Sequence, residues 1–480
     1  MRFQILSFAF HVLPMHARFP FKYGIASMTA LPHLFVQVEL AVDGRQARGL
    51  ASEGLPPKWF TKDPGTLFEQ DLAEMLAVIR NAARIACNAA EKPVAFFDWW
   101  QAVYQEQAGW AGHTETPPLL ANLGTSLIER AVLDGLCKAG GRPLHQLLAD
   151  DALAIDLGAV RPEVKGVTVA QTLASGPLPN IQLRHTVGLG DPLRASGIPE
   201  NERLHDGLPH ALDESIRAYG LRYFKIKVCG KPEQDLARLR EITAVLEECC
   251  AEGFQCTLDG NEQFQSLESF REFYDILSAD AALRPLFASL ILIEQPLHRA
   301  HALDEAVGPA LAGWSDGPAM IIDESDGSLA DLPRALSLGY RGVSHKNCKG
   351  IVKGLANAAL LKSRGLTHLS GEDLANVGPV ALLQDLAMMA ALGVRHVERN
   401  GHHYFKGLSM YPQALQDEVL AAHEGLYHRH ANGFAALKIE NGTLDVSTVN
   451  AAPFGCGVEI DMGAFEPLNA WIKRGGMGEL

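Results

Sequence analysis

Short apolar runs that end in a charged residue alternate with amphipathic stretches between residues 220 and 400. The runs have the length and composition of buried strands, and the stretches between them have the 3.6-residue apolar spacing of helices. Five successive runs are YFKIKV (223–228), CTLDGN (256–261), LILIEQ (290–295), AMIIDES (319–325) and GVSHKN (342–347). Strands that alternate with helices at this period predict βαβ units and a parallel sheet.

Further runs extend this rhythm on both sides. NIQLRHTVGLGD (180–191) is predicted to be a first strand, LTHLSG (366–371) a seventh, and VRHVE (394–398) a short eighth. Helices are predicted near 210–219, 232–252, 265–278, 301–311, 330–338, 350–363 and 378–392. In a closed barrel of this kind, the C-terminal ends of successive strands meet at one mouth, where such enzymes place their chemistry.

The two ends of the chain do not have this rhythm. FQILSFAFHV (3–12) and LFVQVELAVDG (34–44) are predicted to pair as antiparallel strands, and Asp43-Gly44 is a hairpin turn signal. KYGIASMTALPH (22–33) is predicted to be a loop over the site, and the β-like pieces after residue 405 are predicted to return to the N-terminal domain. We therefore expect three parts: a capping domain at 1–150, a barrel at 151–405 and a returning segment at 406–480.

Charge and composition narrow the possible partners. A formal charge of −14 argues against nucleic acid or an anionic membrane. The eight cysteines contain no C-x-x-C pair, which is typical of reduced cytoplasmic thiols. No run approaches the roughly 18 apolar residues of a membrane span, and the apolar stretch at the N-terminus, interrupted by His11, fits a first strand better than a signal peptide. We expect a cytoplasmic protein that acts on small molecules.

Three acidic residues end consecutive predicted strands: Asp259, Glu294 and Asp323. Carboxylates brought together at one mouth repel one another and raise one another's pKa values unless a cation neutralises them. Oxygen ligands with room for water and substrate favour Mg²⁺, or Mn²⁺, over zinc. The alternative is that these residues are strand-end caps or salt-bridge partners of the nearby lysines.

Lysines lie on the strands that bracket the three acids. A lysine that is near a cation and shielded from water has a depressed pKa and can act as a base near neutral pH. Lys227 and Lys346 could therefore remove a proton from one face of a substrate and return it on the other. Lys225 shares the face of Lys227 and would bind the substrate carboxylate or lower that pKa. The alternative for a lone strand lysine is a solvated edge.

Other polar residues reach the same rim. Asn261 shares the face of Asp259 and could bind substrate or form a turn, while Glu372 and Asp373 could orient Lys346 or the substrate, or cap the following helix. His402 and His403 could line the mouth, but surface positions are the more common outcome for such residues.

The ordered motifs resemble a known family. K-x-K at 225–227, D-x-N at 259–261, E-Q-P at 294–296, D-E-S at 323–325 and the lysine at 346 resemble the enolase superfamily, most closely its muconate cycloisomerase-like subgroup in the mandelate racemase/muconate lactonizing enzyme family. The resemblance covers most of the chain. It implies a (β/α)7β TIM-type barrel with an α+β capping domain built from both termini. It also implies one Mg²⁺ on Asp259, Glu294 and Asp323, with Lys227 and Lys346 as acid/base catalysts.

The reaction expected from this resemblance is abstraction of the α-proton of a carboxylate substrate to give a metal-stabilised enediolate. Racemisation, epimerisation or cycloisomerisation would follow, and the alternative is β-elimination by a dehydratase or an o-succinylbenzoate synthase-like lyase. A Schiff-base lysine aldolase or a non-catalytic binding protein would also fit lysines and acids on such a barrel. SGED (370–373) after the seventh strand lacks the histidine base of mandelate racemase, and the eighth strand lacks the D-x-D of dipeptide epimerases. We also expect a homo-oligomer.

Overall fold

A long antiparallel hairpin begins the chain. The computed structural model describes residues 1–479, and in it strands β1, β2 and β3 form a sheet in which Phe35 pairs with His11 on one side and with Ser52 on the other. The three strands are Arg2–Tyr23, Ala26–Val42 and Arg45–Gly54. Asp43 and Gly44, with φ of 47° and 82°, form the predicted turn between β2 and β3. The predicted antiparallel pairing is confirmed.

The hairpin arms are longer than the sequence pattern predicts. Residues 26–33, predicted to be loop, belong to β2, and the arm of β1 extends to Tyr23. The sequence pattern does not predict this extension because the arms contain prolines, and proline lacks the N–H that a strand interior normally donates. Pro14 and Pro32 lie directly opposite each other in the two arms, and the Pro32 carbonyl oxygen accepts from the Leu55 N–H on the other side, so this pair needs no hydrogen bond between the arms.

Three helices cover one face of this sheet. They are α1 (Phe68–Ala89), α2 (Phe96–His113) and α3 (Pro118–Gly140), with the short strand β4 (Val94–Ala95) between the first two. Helix α3 is buried along most of its length and packs against β3. A Cβ added to Gly49 of β3 would lie 2.0 Å from the Ala131 carbonyl oxygen of α3, so only glycine allows this close approach.

Within residues 1–479, eight parallel strands close into a barrel, because β12 pairs with β5. These strands are β5 (Asn180–Val187), β6 (Tyr223–Lys227), β7 (Gln255–Asp259), β8 (Leu290–Glu294), β9 (Met320–Ile322), β10 (Gly342–His345), β11 (His368–Gly371) and β12 (His396–Arg399). Each lies at a position predicted from its apolar run. The predicted TIM-type barrel with a capping domain is confirmed.

Three short helices precede the first barrel strand, and the others connect each strand to the next. They are α4 (Leu144–Ala149), α5 (Leu157–Val160), α6 (Val169–Thr172), α7 (Leu212–Tyr219), α8 (Pro232–Cys249), α9 (Leu267–Ser278), α10 (Arg284–Ala288), α11 (Val307–Ala312), α12 (Asp331–Leu338), α13 (Ile351–Ser363) and α14 (Ala381–Leu392). Short 3₁₀ turns occupy Pro162–Val164, Ala195–Gly197, Glu200–Glu202, Ala281–Leu283, Asn347–Lys349, Met462–Ala464 and Gly476–Glu479.

The last part of the chain contacts both sheets. Its elements are α15 (Gly401–Tyr404), α16 (Gln413–Ala422), β13 (Tyr427–Arg429), β14 (Ala435–Leu437), β15 (Thr443–Asp445), α17 (Ser447–Ala451), β16 (Glu466–Pro467) and α18 (Leu468–Lys473). Strand β15 pairs antiparallel with β5 of the barrel, and β16 pairs with β1. All eight cysteines are free thiols. None of the helices described here is both long and apolar enough to cross a membrane.

Candidate active site at the barrel mouth

The strand-end charges that the sequence singles out converge on one mouth of the barrel. Lys227 ends β6 and Lys346 follows β10, two strands that lie four apart in the closed ring of eight that the described residues form. The two lysines therefore come from opposite sides of the mouth. Asp259 and Glu294 end the next two strands, Asp323 follows the third, and all five residues are at least 94% buried.

Lys225 lies at the centre of a group of carboxylates. Its Nζ is 2.7 Å from Glu294 Oε1, 2.9 Å from Glu372 Oε2, 2.9 Å from Glu398 Oε2 and 3.1 Å from Asp259 Oδ2. The side chain is 2% exposed, so water screens these contacts little. Lys225 therefore acts as a buried cation that four acids share.

Lys346 and Lys227 each hold particular carboxylates. Lys346 Nζ lies 2.8 Å from Asp323 Oδ2 and 2.6 Å from Glu372 Oε2. Lys227 Nζ lies 2.5 Å from Asp259 Oδ2, while Asp259 Oδ1 accepts the backbone N–H of Asn261 at 2.8 Å. Each catalytic candidate is thus fixed by an acid on a neighbouring strand end.

Lys349 and Arg184 complete what we call the central charge cluster. Lys349 Nζ is 2.9 Å from Asp323 Oδ1, and Arg184 Nη2 is 3.2 Å from Glu372 Oε1. Among the described residues, the cluster consists of five acids and five bases: Asp259, Glu294, Asp323, Glu372, Glu398, Lys225, Lys227, Lys346, Lys349 and Arg184. Buried charges remain ionised only when they are compensated in this way.

The pKa values in the cluster follow from these contacts. Burial lowers the pKa of Lys225 and of Lys346, but the surrounding carboxylates more than offset it, so that both lie well above the usual lysine value. The sequence predicts depressed lysine pKa values beside a cation. In the structure the nearest charges are carboxylates, which act in the opposite direction, and a divalent ion among them would reverse that effect.

Glu294 is the least compensated acid of the cluster. Burial, together with the charges of Asp259 and Glu372, raises the pKa of Glu294 well above its ordinary value. Its Oε1 accepts from Lys225, but its buried Oε2 has no hydrogen-bond partner within the described part of the chain. A cation beside this oxygen would satisfy both its charge and its geometry.

Two ligand sets for such a cation share Glu294 and Asp323. Carboxylate oxygens of Glu294, Asp323 and Glu372 lie within 4.8 Å of one another, and all three residues are buried. In the set predicted from the sequence, Asp259 takes the place of Glu372. Both sets consist of carboxylate oxygens, the hard ligands that Mg²⁺ and Mn²⁺ prefer. Among the described residues, however, only the set with Glu372 has oxygens that all lie within 4.8 Å of one another, and the predicted set with Asp259 does not.

Several members of the cluster were not found by sequence reasoning. Glu398 lies in the predicted eighth strand and Arg184 in the first, positions to which the sequence pattern assigns no role. Their signal was a charge inside an otherwise apolar strand. Thr186 Oγ1 donates to Glu398 Oε1 at 2.6 Å across the seam where the barrel closes.

The remaining rim residues have separate surroundings. Asp373 lies beside Arg399, and burial raises the pKa of Asp373 to about 7 despite that arginine. The expectation of surface positions for His402 and His403 was wrong. His403 is buried and His402 is half-buried; both rings contact the ring of His185, and desolvation holds the pKa of each well below the usual value. The short helix α15 turns them inward, which periodicity did not reveal.

A small cavity joins the capping domain to the charge cluster. Lys227, Lys346 and Asn261 line its floor, while Phe21, Tyr23, Met28 and Trp59 of the capping domain form an apolar wall. The cavity offers about 40 Å³ to the centres of water molecules. The Trp59 ring centre is 5.4 Å from Lys346 Nζ, a cation–π contact.

Comparisons with known proteins give matches in structure but not in sequence. No family model matches the chain. No curated protein matches it in sequence either. Solved structures do match: a mandelate racemase/muconate lactonizing protein from Herpetosiphon aurantiacus is 20% identical, with a TM-score of 0.59 over 95% of this chain and 99% of that chain.

Two further structures show the same likeness. Muconate lactonizing enzyme from Pseudomonas fluorescens, complexed with muconolactone, is 16% identical with a TM-score of 0.58 over 95% of this chain and 97% of its own. Dipeptide epimerase from Enterococcus faecalis V583, complexed with Mg and the dipeptide L-Leu-L-Tyr, is 14% identical with a TM-score of 0.56 over 94% of this chain and 99% of its own. This chain therefore has the fold of the mandelate racemase/muconate lactonizing enzymes of the enolase superfamily.

Proposed function

We propose that the protein is an Mg²⁺-dependent enzyme that removes the α-proton of a carboxylate substrate and thereby racemises, epimerises or cycloisomerises it. One observation carries this proposal: two lysines from opposite sides of the barrel, Lys227 and Lys346, line one cavity, and buried acids lie on the strands between them. Paired bases on opposite sides suit a reaction that moves a proton between two faces of a carbon atom.

The acids suit a divalent cation. Glu294 and Asp323, with Asp259 as the predicted third ligand, would hold the ion, and the unpartnered Glu294 Oε2 supports this. When bound, the ion supplies Lewis acidity that makes the α-proton of a carboxylate more acidic. Mn²⁺ suits the same oxygen ligands.

The lysines divide the work between them. Lys227 would accept or return the proton on one face of the substrate and Lys346 on the other. Lys225, which its four acids keep charged, would stabilise the negative charge that develops on the substrate carboxylate. The apolar wall excludes water and favours a substrate with a compact apolar body. Loss of a β-group instead of reprotonation would give elimination, which is the alternative outcome.

Fold resemblance supports the superfamily but does not select the reaction. The similar structures include a cycloisomerising and an epimerising enzyme, and the epimerase complex contains Mg. Both observations are consistent with a shared proton-abstraction step.

The test is deuterium exchange at the α-carbon. A carboxylate library in D₂O with Mg²⁺, followed by mass spectrometry, should identify substrates whose α-proton exchanges, and EDTA should abolish that exchange. For a racemase or epimerase, Lys227→Ala and Lys346→Ala should each lower the rate of α-proton exchange from one enantiomer by at least about 10²-fold. Lys438→Ala, which removes a surface lysine paired with Glu440, is the matched control.

Two results would overturn the proposal. Unchanged exchange in both lysine variants would mean that neither lysine is the base. Exchange that persists in EDTA would mean that the reaction needs no divalent metal ion.

A further inference from the structure

A short segment of the capping domain, residues 55–66, is fastened to the barrel by one arginine. Arg299, which follows β8, donates from Nη2 to the Trp59 carbonyl oxygen and from Nη1 to the Phe60 carbonyl oxygen, both at 2.9 Å. The same guanidinium donates two hydrogen bonds of 2.8 Å to the Glu262 carboxylate. A two-pronged pair of this kind fixes orientation as well as distance.

Lys62 fastens the far end of the segment to the same acid. Its Nζ lies 3.3 Å from Glu262 Oε1 and donates to the Asn261 carbonyl oxygen. Asn261 and Glu262 have φ of 40° and 65°, a left-handed backbone conformation that is strained for residues other than glycine. This strained turn begins two residues after Asp259, so the attachment point of the segment is continuous with the active-site floor.

The segment carries one side of the cavity wall. Trp59 lies over Lys346, and Tyr23 from the tip of the β1–β2 hairpin donates to the Pro57 carbonyl oxygen at 2.8 Å. Lys58 joins the segment to α1 through Asp71, at 2.8 Å. Arg299 and Lys62 thus supply hydrogen bonds between this segment and the barrel, beside the cation–π contact of Trp59 with Lys346, whereas the contacts of Tyr23 and Lys58 stay within the capping domain.

We propose that Arg299 is a positioning residue that, together with Glu262 and Lys62, forms a latch holding residues 55–66 against the barrel, so that Trp59 closes the cavity over Lys346. In its effect on substrate, this inference rests on the proposed function. Arg299 contacts the backbone of the segment, not the Trp59 ring, so it sets where the ring lies without touching the reacting atoms.

The latch is tested first without substrate. Lys58 and Lys62 are trypsin sites on either side of Trp59, and Arg299→Gln leaves both in place. Charged hydrogen bonds of this kind are each worth enough to change an opening equilibrium by about 10- to 100-fold. Cleavage after Lys58 or Lys62, located by mass spectrometry, should therefore accelerate at least about tenfold in Arg299→Gln.

Arg334→Gln is the matched control. Arg334 also donates to a backbone carbonyl, that of Leu303, but it lies on α12 and contacts no residue of the 55–66 segment. The rate of trypsin cleavage after Lys58 or Lys62 in Arg334→Gln should match that of the wild type. Glu262→Gln should behave like Arg299→Gln, which provides a second variant if the first does not fold. Equal cleavage rates in the wild type and both latch variants would overturn the proposal.

The second test separates positioning from a structural role. Arg299→Gln should raise KM for the exchanging substrate about tenfold with kcat and Mg²⁺ affinity nearly unchanged, since the metal and the lysines are untouched. In a Trp59→Leu background the same change should have little further effect on KM, because Arg299 acts through Trp59. Additive effects would overturn the link to Trp59. A wild type without proton exchange would refute the proposed function, whereas the trypsin comparison would still decide the latch.

Discussion

Replacing Lys225 with methionine should expose the charge balance of the active site. Methionine keeps the length and apolar stem of lysine but removes the ammonium, so four buried carboxylates at 2.7–3.1 Å lose their shared partner. Removing one partner of a buried ion pair typically costs about 3–5 kcal/mol. We expect a loss of about this size in the free energy of unfolding when no divalent ion is present.

Mg²⁺ should recover part of that loss. A unit positive charge about 5 Å from a divalent ion opposes its binding by several kcal/mol at an effective dielectric constant of about 20. Without the Lys225 charge, Mg²⁺ affinity should therefore rise by at least about tenfold, which adds about 1.4 kcal/mol of stabilisation at a fixed excess of Mg²⁺. Proton exchange should nevertheless fall, because the variant lacks the cation that stabilises charge on the substrate.

Urea unfolding with EDTA and with saturating Mg²⁺ measures both effects, and calorimetry gives the affinity. Lys438→Met is the control, since Lys438 pairs with Glu440 at 3.1 Å while 40% exposed, and such a pair contributes about 0–1 kcal/mol. The reasoning would be refuted if Lys225→Met were as stable as the wild type in EDTA. It would also be refuted if Mg²⁺ stabilised the two proteins equally.

Two further predictions concern the acids. Glu294→Gln and Asp323→Asn should each weaken Mg²⁺ binding at least about tenfold in calorimetry, since each removes a charged ligand. We expect the same of Asp259→Asn, while an intact affinity in that variant beside a loss in Glu372→Gln would move the third ligand to Glu372. Glu129 accepts the Ile351 and Val352 N–H groups at the start of α13, and burial raises the pKa of Glu129 from 4.5 to about 7. Because the folded pKa is the higher one, the free energy of unfolding should fall by about 3 kcal/mol as the pH rises through that window. Glu129→Gln should remove this pH dependence, which is measured as the urea midpoint between about pH 5 and about pH 8.

The barrel could be predicted from the sequence because its strands are buried on both faces. Runs such as LILIEQ and GVSHKN stand out from the amphipathic helices around them, and β8 and β10 lie within these runs. The parity of residues in a strand also placed Lys346 on the inner side and His345 on the outer side, where His345 packs against Gly354 of α13. Local sequence was sufficient for these features because each depends on one element.

The apolar wall of the cavity could not be predicted in the same way. Trp59 and Arg299 are 240 residues apart in sequence, and their contact joins a polar loop to a turn after a barrel strand. Neither segment has a periodic pattern, and the contact depends on how two domains meet. Because of the prolines in the arm of β1, the sequence pattern also did not predict the extension of that strand that carries Phe21 and Tyr23 to the cavity.

The charges of the site show why roles assigned from sequence one residue at a time were incomplete. The sequence predicts metal ligands from the acids and bases from the lysines, with salt bridges between the two groups as the alternative. In the folded chain these salt bridges are present: Lys225 and Lys346 share Glu372, and Lys225 and Lys227 share Asp259. Glu398 enters this network only because β12 closes the ring against β5. A divalent ion that binds these acids must therefore compete with ammonium groups already held there. Metal affinity and lysine basicity are consequently coupled in this barrel, and a substitution in either group should change both properties.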